Sequence, residues 1–166
     1  MMRNSSFKNV TQPGRVVFYK EGVSATVAVE GDDSYRALKV NGKTDASNIG
    51  DRSTQIGVSL LPMAIHGKAK DVGIVGWGSG MSVGTALQFP IRHATAVELE
   101  PAVVAASYLF RPWNFAPLKD KRLTLYYNDG RNYLATTRKQ FDIIVSVPSN
   151  PWMSGVANLF TTNYFN

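Results

Sequence analysis

The chain has 166 residues, with 18 Lys and Arg against 12 Asp and Glu, and it contains no Cys. This length suits one domain of about 150 residues with a small appendage. The absence of Cys excludes disulfides, thiolate metal sites and cysteine nucleophiles. No apolar run approaches the ~20 residues of a membrane span, and the N-terminus lacks the apolar stretch of a signal peptide. We therefore expect a soluble, cytoplasmic protein with no membrane partner for this segment.

The net charge of +6 raises the question of nucleic-acid binding. The basic residues are scattered in small groups at 68–70, 119–122 and 138–139, and none of these groups is interleaved with aromatic residues. A surface that neutralises several phosphates should be clustered. The sequence therefore predicts no nucleic-acid partner.

The first part of the chain reads as a flexible terminus over residues 1–15 and a small antiparallel β meander over residues 16–50. Strand-like runs rich in Val, Thr, Tyr and Phe occupy residues 16–20, 24–30 and 34–40. Asn41 and Gly42 follow the third run, and both tolerate positive φ. This dipeptide predicts a two-residue hairpin turn.

From Asp51 the pattern becomes helical, with Asp51 as a first-turn or cap residue. Short apolar strands then alternate with helices, which predicts βαβ units and a parallel sheet covered by helices. The predicted strands are residues 71–75, 95–99, 123–127 and 141–147. Helices are predicted up to Leu87, over 102–110 after Pro101, and around Tyr133. Residues 51–166 thus form a Rossmann-like α/β domain that ends short, and we expect the native chain to continue past Asn166.

Three features of the sequence fall where the carboxyl ends of these strands would meet. The glycine segment 76–80, Gly-Trp-Gly-Ser-Gly, lies between a strand and a helix, where glycine allows a sharp turn and close approach of a ligand. Glu98 lies at the end of the next strand, within reach of both hydroxyls of a ribose. Asp129 and Gly130 follow the third strand, where a carboxylate could accept from an adenine amino group. Each feature alone could be a tight turn, a surface charge or a helix cap, but their order favours adenosine binding.

The motifs of the chain resemble those of the spermidine synthase family, in particular its divergent spermidine-synthase-like branch. The resemblance covers roughly residues 16–166. The segments that carry it are 38–47, Leu-Lys-Val-Asn-Gly-Lys-Thr-Asp-Ala-Ser; 76–80; 96–101, Ala-Val-Glu-Leu-Glu-Pro; 129–134, Asp-Gly-Arg-Asn-Tyr-Leu; 142–145, Asp-Ile-Ile-Val; 148–152, Pro-Ser-Asn-Pro-Trp; and 158–160, Asn-Leu-Phe.

The resemblance implies a Rossmann-like S-adenosylmethionine-dependent transferase fold and aminopropyl transfer to an amine acceptor. Decarboxylated S-adenosylmethionine or S-adenosylmethionine would be the co-substrate, methylthioadenosine the product, and no cofactor would be bound permanently. The partner would be a small-molecule amine, and a homodimer is implied. The residues that would contact the nucleoside are Gly76, Gly78, Ser79, Gly80, Glu98, Asp129 and Gly130.

The catalytic residues of the family do not carry over. Its acidic pair lies in an Asp-x-x-Asp-Pro segment, whose acidic positions are Val147 and Asn150 in this chain. The glycine loop has Ser79 where the family has Asp, and a Tyr-His-Glu-like stretch corresponds to Thr-Gln-Ile at 54–56. A Val cannot accept a proton, so the catalytic base stays unassigned. Asp45 and Asp51 are the remaining acidic candidates near these motifs.

Two other functions stay open at this point. Loss of the acidic pair is compatible with a methyltransferase that uses intact S-adenosylmethionine, and also with a non-catalytic nucleoside-binding or dimerisation module. No metal site is expected, because His66 and His93 lack acidic or His partners at ligand spacing.

Overall fold

A computed structural model of the chain describes residues 15–147, which form two four-stranded sheets. The first sheet contains β1 (Val16–Glu21), β2 (Thr26–Gly31), β3 (Arg36–Val40) and β4 (Lys43–Ser47). The second contains β5 (Asp71–Val75), β6 (His93–Glu98), β7 (Leu123–Tyr127) and β8 (Ile143–Ser146). The α-helices are α1 (Arg52–His66), α2 (Met81–Ala86), α3 (Pro101–Ala106) and α4 (Gly130–Thr136).

The first sheet is an antiparallel meander in the order β1-β2-β3-β4, as the sequence predicts. The hairpin at Asn41 and Gly42 is confirmed, because Val40 pairs with Lys43 and the two turn residues have φ of 51° and 80°. Two consecutive positive φ values give the turn whose twist matches the flanking strands. The Asn41 side chain also accepts a hydrogen bond from the backbone N–H of Thr26 on the neighbouring strand, at 2.9 Å.

Both sheets contribute to one apolar core. Val27 and Val29 of β2 alternate inward with partly buried neighbours, and both are fully buried, as is Leu38 of β3. They belong to the same cluster as Val72 and Ile74 of the central strand β5. The meander therefore packs its inner face against the α/β unit.

The second sheet is parallel in the order β7-β6-β5-β8, so the predicted Rossmann-like architecture is confirmed. The chain crosses from β5 outward to β6 and β7 and then back to β8 on the other side of β5. The predicted helix over 102–110 is wrong in its second half, because α3 ends at Ala106 and a 3-10 helix follows over Ser107–Phe110. Within residues 15–147, no helix combines the length and apolar character needed to cross a membrane.

Asp51 occupies the cap position of α1, but its side chain does not cap the helix as predicted. The carboxylate turns back toward the end of β4, where it accepts from the backbone N–H of Ser47 at 3.0 Å. It also accepts from the Gln55 amide at 3.0 Å. A tertiary contact to the preceding strand thus replaces the local capping bond, and it ties the meander to α1.

The segment after α3 supports the glycine turn from below. Asn114 is 2% exposed, and its amide donates to the backbone oxygen of Ser79 at 2.8 Å and to that of Ser107 at 3.1 Å. The backbone of Asn114 also packs directly on Gly84 of α2, where an added Cβ would lie 1.9 Å from the Asn114 oxygen. Gly84 is therefore required by close approach of two backbones.

The contrast between two helical glycines gives a stability test. We expect Gly84→Ala to destabilise the fold by about 1–3 kcal/mol, because the new methyl group would collide with backbone. At Gly57 in α1, no atom of residues 15–147 outside the adjacent helix backbone lies within 4 Å of the added Cβ. Gly57→Ala should therefore stabilise the fold by about 0.5–1 kcal/mol. Urea unfolding of both variants checks the pair, and equal effects on the free energy of unfolding would contradict this packing.

Candidate functional site

The carboxyl ends of all four parallel strands open into one cavity of about 330 Å³. Gly76 follows β5, Glu98 ends β6, Asp129 follows β7 and Val147 follows β8, and each of them lines the cavity. Ligands of open α/β sheets bind at this edge, next to the point where the strand order reverses. The volume lies within the range of small-molecule sites, about 300–1,000 Å³.

The opposite wall of the cavity comes from the meander. The lining residues on that side are Ser24, Ala25, Leu38, Val40, Asn41, Asp45 and Ala46. The sequence analysis did not predict that the two sheets share a cavity, because the contacts between them are separated by many residues in the chain. The site is therefore built by both sheets together.

The glycine segment makes the turn that the sequence predicts. Gly76, Gly78 and Gly80 have φ of 90°, 54° and 82°, a region that residues with a Cβ rarely adopt. Trp77 between them is 3% exposed and packs in the core, although part of it borders the cavity. Its indole N–H has no hydrogen-bond partner among the residues that the structure describes. The turn thus exposes backbone to the cavity while it buries its one large side chain.

Two predicted contact residues do not reach the cavity. Ser79 is 1% exposed, and its hydroxyl donates to the Gln55 side-chain oxygen. Gly80 is buried at the start of α2, where an added Cβ would lie 3.2 Å from the Asn114 amide. Gln55, which the sequence analysis did not place in the site, lines the cavity instead. Ser79 and Gly80 therefore support the turn without lining the cavity, and their contact with a nucleoside stays a prediction.

Glu98 lies between the glycine turn and α3. One carboxylate oxygen accepts from the Trp77 N–H at 2.8 Å, and the other accepts from the Glu100 N–H at 2.9 Å. A carboxylate offers about four acceptor positions, so both oxygens keep capacity for further donors such as hydroxyl groups. Burial raises the pKa of Glu98 above its ordinary value of 4.5, while these backbone hydrogen bonds oppose the rise.

Glu100 is a lining residue that sequence reasoning missed. It is 4% exposed and its carboxylate caps α3 by accepting from the Ala102 N–H at 3.0 Å. Burial alone would raise the pKa of Glu100, but hydrogen bonds from Ala102, Ser24 and Ala25 outweigh it and lower that pKa below 4.5. Pro101 at the first helical position was the signal that the preceding residue is a cap.

Asp129 and Gly130 lie at the end of β7 as predicted, and both line the cavity. The Asp129 carboxylate also caps α4, because it accepts from the Asn132 N–H at 2.8 Å. Gly130 packs on the neighbouring strand, since an added Cβ would lie 2.4 Å from a methyl carbon of Val75. Asp129 therefore caps α4 and lines the cavity at the same time, and its contact with adenine stays a prediction.

The acidic candidates of the sequence analysis separate in the structure. Asp45 on β4 lines the cavity, and its carboxylate lies 3.9 Å from the Lys43 ammonium group. Asp51 does not line the cavity, because its oxygens face Ser47 and Gln55. Val147 lines the cavity beside Gly76, while Asn150 lies outside the described residues. Asp45 is thus the candidate that borders the same space as Glu98.

The cavity is acidic in a chain that carries a net charge of +6. Among the described residues that line it, the ionisable ones are Asp45, Glu98, Glu100 and Asp129, and none is Lys, Arg or His. Within residues 15–147, no group of three His, Cys, Asp or Glu side chains is arranged to hold a metal ion. The acidic lining favours a cation over an anion.

The parallel sheet, the glycine turn and the acidic residue at the end of the next strand define a Rossmann-like α/β fold. The solved structures that the chain resembles agree with this class. A spermidine synthase in complex with the transition state analogue AdoDATO superposes with a TM-score of 0.82 at 20% identity, over 91% of this chain and 52% of that one. The spermidine synthase from Thermotoga maritima gives a TM-score of 0.79 at 20% identity, over 91% of this chain and 51% of that one.

The chain belongs to the spermine/spermidine synthase family, because residues 55–166 match the Spermine/spermidine synthase domain. The polyamine aminopropyltransferase of Pseudomonas syringae pv. tomato is 36% identical over 63% of this chain. That of Agathobacter rectalis is 28% identical over 65% of this chain. The matches span 37% and 38% of those two proteins, so the chain covers less than half the length of the curated relatives that it matches.

The raised pKa of Glu98 predicts a pH-dependent stability difference. Between pH 4.5 and its raised folded value, Glu98 holds its proton in the folded chain but loses it in the unfolded chain, so wild-type stability falls as the pH rises. Glu98→Gln cannot lose that proton. The free energy of unfolding of the wild type should therefore decrease relative to Glu98→Gln as the pH rises above 4.5, as measured by urea titration. A difference that is constant with pH would contradict the raised pKa.

Proposed function

We propose that the chain binds the adenosyl part of decarboxylated S-adenosylmethionine in this acidic cavity and transfers the aminopropyl group to a small amine. The observation that carries the proposal is the acidic lining at the carboxyl ends of four parallel strands, in a chain of the spermine/spermidine synthase family. The donor is a sulfonium cation that also carries an ammonium group, and the acceptor is a second cation. Both charges suit a cavity without basic lining residues.

In the proposed arrangement the nucleoside lies across the ends of β5, β6 and β7. Glu98 accepts from the two ribose hydroxyls, which its remaining acceptor capacity allows. Gly76 and Gly78 let the ligand approach the backbone closely. Asp129 and Gly130 lie beside the base. The other contacts are those that the sequence predicts, whereas Ser79 and Gly80 support the glycine turn in this proposal.

The proposed reaction is a displacement at carbon. The lone pair of the neutral acceptor amine forms a bond to the propyl carbon next to the sulfonium, and the C–S bond breaks. The acceptor ammonium group first gives one proton to the carboxylate beside it, which frees this lone pair. Sulfur takes the electron pair of the broken bond and becomes the thioether of methylthioadenosine, and the new secondary ammonium group carries the positive charge that leaves sulfur. An alkylammonium group has a pKa of about 10.4, so a carboxylate beside the amine is needed to anchor the cation and accept its proton.

Asp45 is the carboxylate that we assign to the acceptor amine. Val147 occupies the position of the family's base and has no proton acceptor in its side chain, yet it borders the same cavity. Asp45 approaches this cavity from β4 on the opposite wall, and its side chain is 13% exposed. An acid supplied by the meander would then replace the acid missing after β8.

Calorimetric titration with three nucleosides tests the binding proposal. We expect methylthioadenosine to bind, and decarboxylated S-adenosylmethionine to bind about tenfold or more tightly than the intact form, because the carboxylate of the intact form would be repelled by the acidic lining. Glu98→Ala should weaken all three, whereas the exposed Asp33→Asn should weaken none. Absence of heat with every nucleoside would overturn the proposal, and a preference for intact S-adenosylmethionine would indicate a methyltransferase instead.

The role of Asp45 is tested with Asp45→Asn in an aminopropyl-transfer assay with putrescine. We expect kcat/KM for the amine to fall by about 100-fold or more, the usual effect of losing a positioned base. The dissociation constant of the nucleoside should stay within about threefold, since Asp45 is assigned to the amine alone. The control is again Asp33→Asn. Nucleoside binding by the wild type without any turnover would instead favour a non-catalytic binding module.

The homodimer and the cytoplasmic location stay predictions from the sequence. The choice of putrescine as acceptor rests on the family resemblance, and other small amines can be compared in the same assay.

A further inference from the structure

Glu100 is a buried carboxylate, and all the hydrogen bonds that it accepts from the described residues come from neutral groups. Its side chain receives four hydrogen bonds, three from backbone N–H groups and one from a hydroxyl. The ion pairs within residues 15–147 do not include it. A buried charge held in this way depends on every donor, because each lost bond leaves part of the charge without compensation.

Three of these four bonds come from a distant part of the chain, the turn between β1 and β2. One carboxylate oxygen of Glu100 accepts from the Ser24 N–H at 2.7 Å, from the Ser24 hydroxyl at 2.9 Å and from the Ala25 N–H at 3.2 Å. The other oxygen accepts from the Ala102 N–H at 3.0 Å and so caps α3. One side chain therefore joins the meander to the first turn of α3.

Gly22 makes this contact sterically possible. A Cβ at Gly22 would lie 2.2 Å from one carboxylate oxygen of Glu100 and 2.3 Å from its carboxyl carbon. The turn is closed by a hydrogen bond from the Gly22 N–H to the Ala25 oxygen at 2.9 Å. The backbone of residues 22–25 thus surrounds the carboxylate, and a Cβ at position 22 would push the carboxylate out of this position.

The same residue is joined to the proposed ribose acceptor. The Glu100 N–H donates to the Glu98 carboxylate at 2.9 Å, while Ser24, Ala25 and Glu100 all line the cavity. A shift of Glu100 would therefore move one hydrogen bond of Glu98 and one wall of the cavity together. The α3 cap needs only the hydrogen bond from the Ala102 N–H, so the bonds to the β1–β2 turn are additional to capping.

We propose that Glu100 is a positioning residue that holds the β1–β2 turn against the nucleoside cavity and orients Glu98, so that nucleoside affinity depends on the contact between the two sheets. The inference rests on the proposed function, because it names the residue that shapes the same site. Glu100 touches no reacting atom in this account, and its effect on the ligand passes through Glu98 and the turn.

The test compares variants of the full chain by calorimetry with methylthioadenosine and by hydrogen exchange of the Ser24 and Ala25 amides. In Glu100→Gln an amide replaces one acceptor oxygen, and we expect the dissociation constant to rise about tenfold or more. The two amides should exchange about tenfold faster or more for the same reason. In a turnover assay the KM of the nucleoside should rise, while kcat stays within about threefold, as for lost ground-state positioning.

Gly22→Ala disturbs the same contact without changing the charge of Glu100. It should weaken methylthioadenosine binding in the same direction, and combining it with Glu100→Gln should add less than the sum of the two effects, because both break one contact. The matched control is Glu21→Gln, an exposed residue at the end of β1, which should bind like the wild type. If Glu100→Gln does not fold, Gly22→Ala and Ser24→Ala still report on the contact.

The outcomes separate this inference from the proposed function. Lower stability of Glu100→Gln with unchanged affinity and unchanged exchange at Ser24 and Ala25 would overturn the inference and leave a simple helix cap. If the wild type binds no nucleoside, the proposed function is wrong, and so is the part of the inference that concerns nucleoside affinity. Exchange at Ser24 and Ala25 in the ligand-free variants would then still show whether Glu100 holds the turn.

Discussion

The geometry of the site depends on how the buried carboxylates of Glu98 and Glu100, on either side of Leu99, are stabilised by hydrogen bonds. Within residues 15–147, Glu98 and Glu100 are held by backbone N–H groups of the glycine turn, of the start of α3 and of the β1–β2 turn rather than by cations. These backbone N–H groups cannot move unless the turn or helix that contains them moves as well. The geometry of the cavity is therefore fixed by the relative positions of three segments, and each segment is in turn held by the common core. Burial outweighs the hydrogen bonds at Glu98 and raises its pKa, whereas the hydrogen bonds outweigh burial at Glu100 and lower its pKa.

The meander has a larger part in the site than its size indicates. It closes the cavity opposite the strand ends, provides Asp45, and packs Val27, Val29 and Leu38 into the core of the parallel sheet. A Rossmann-like sheet alone would present the glycine turn and its acids on an open edge. Burial by the meander lowers the local dielectric, which strengthens the interaction of the acidic lining with a cation.

Much of the fold could be predicted because its signals are local. The Asn41-Gly42 turn, the four apolar strands and the glycines with positive φ are each specified by a few neighbouring residues. The end of α3 was misplaced because Ser107–Phe110 keeps a helical pattern while its backbone tightens to a 3-10 helix. The contacts of Glu100 with Ser24 and of Asn114 with Ser79 span 76 and 35 residues, and no local pattern encodes them. Ser79 likewise fits the glycine motif by position, and only the packing of α1 on the turn shows that it faces Gln55.

The acidic lining also bears on the order in which products leave. In the proposed reaction a positive charge starts on sulfur and finishes on the new amine, so the nucleoside becomes neutral while the acceptor gains in cationic character. The attraction of Asp45, Glu98, Glu100 and Asp129 for the nucleoside falls in the same step that breaks its C–S bond. Under the proposed function, departure of the spent nucleoside would thereby be coupled to the chemistry, and the longer polyamine would be the more tightly held product.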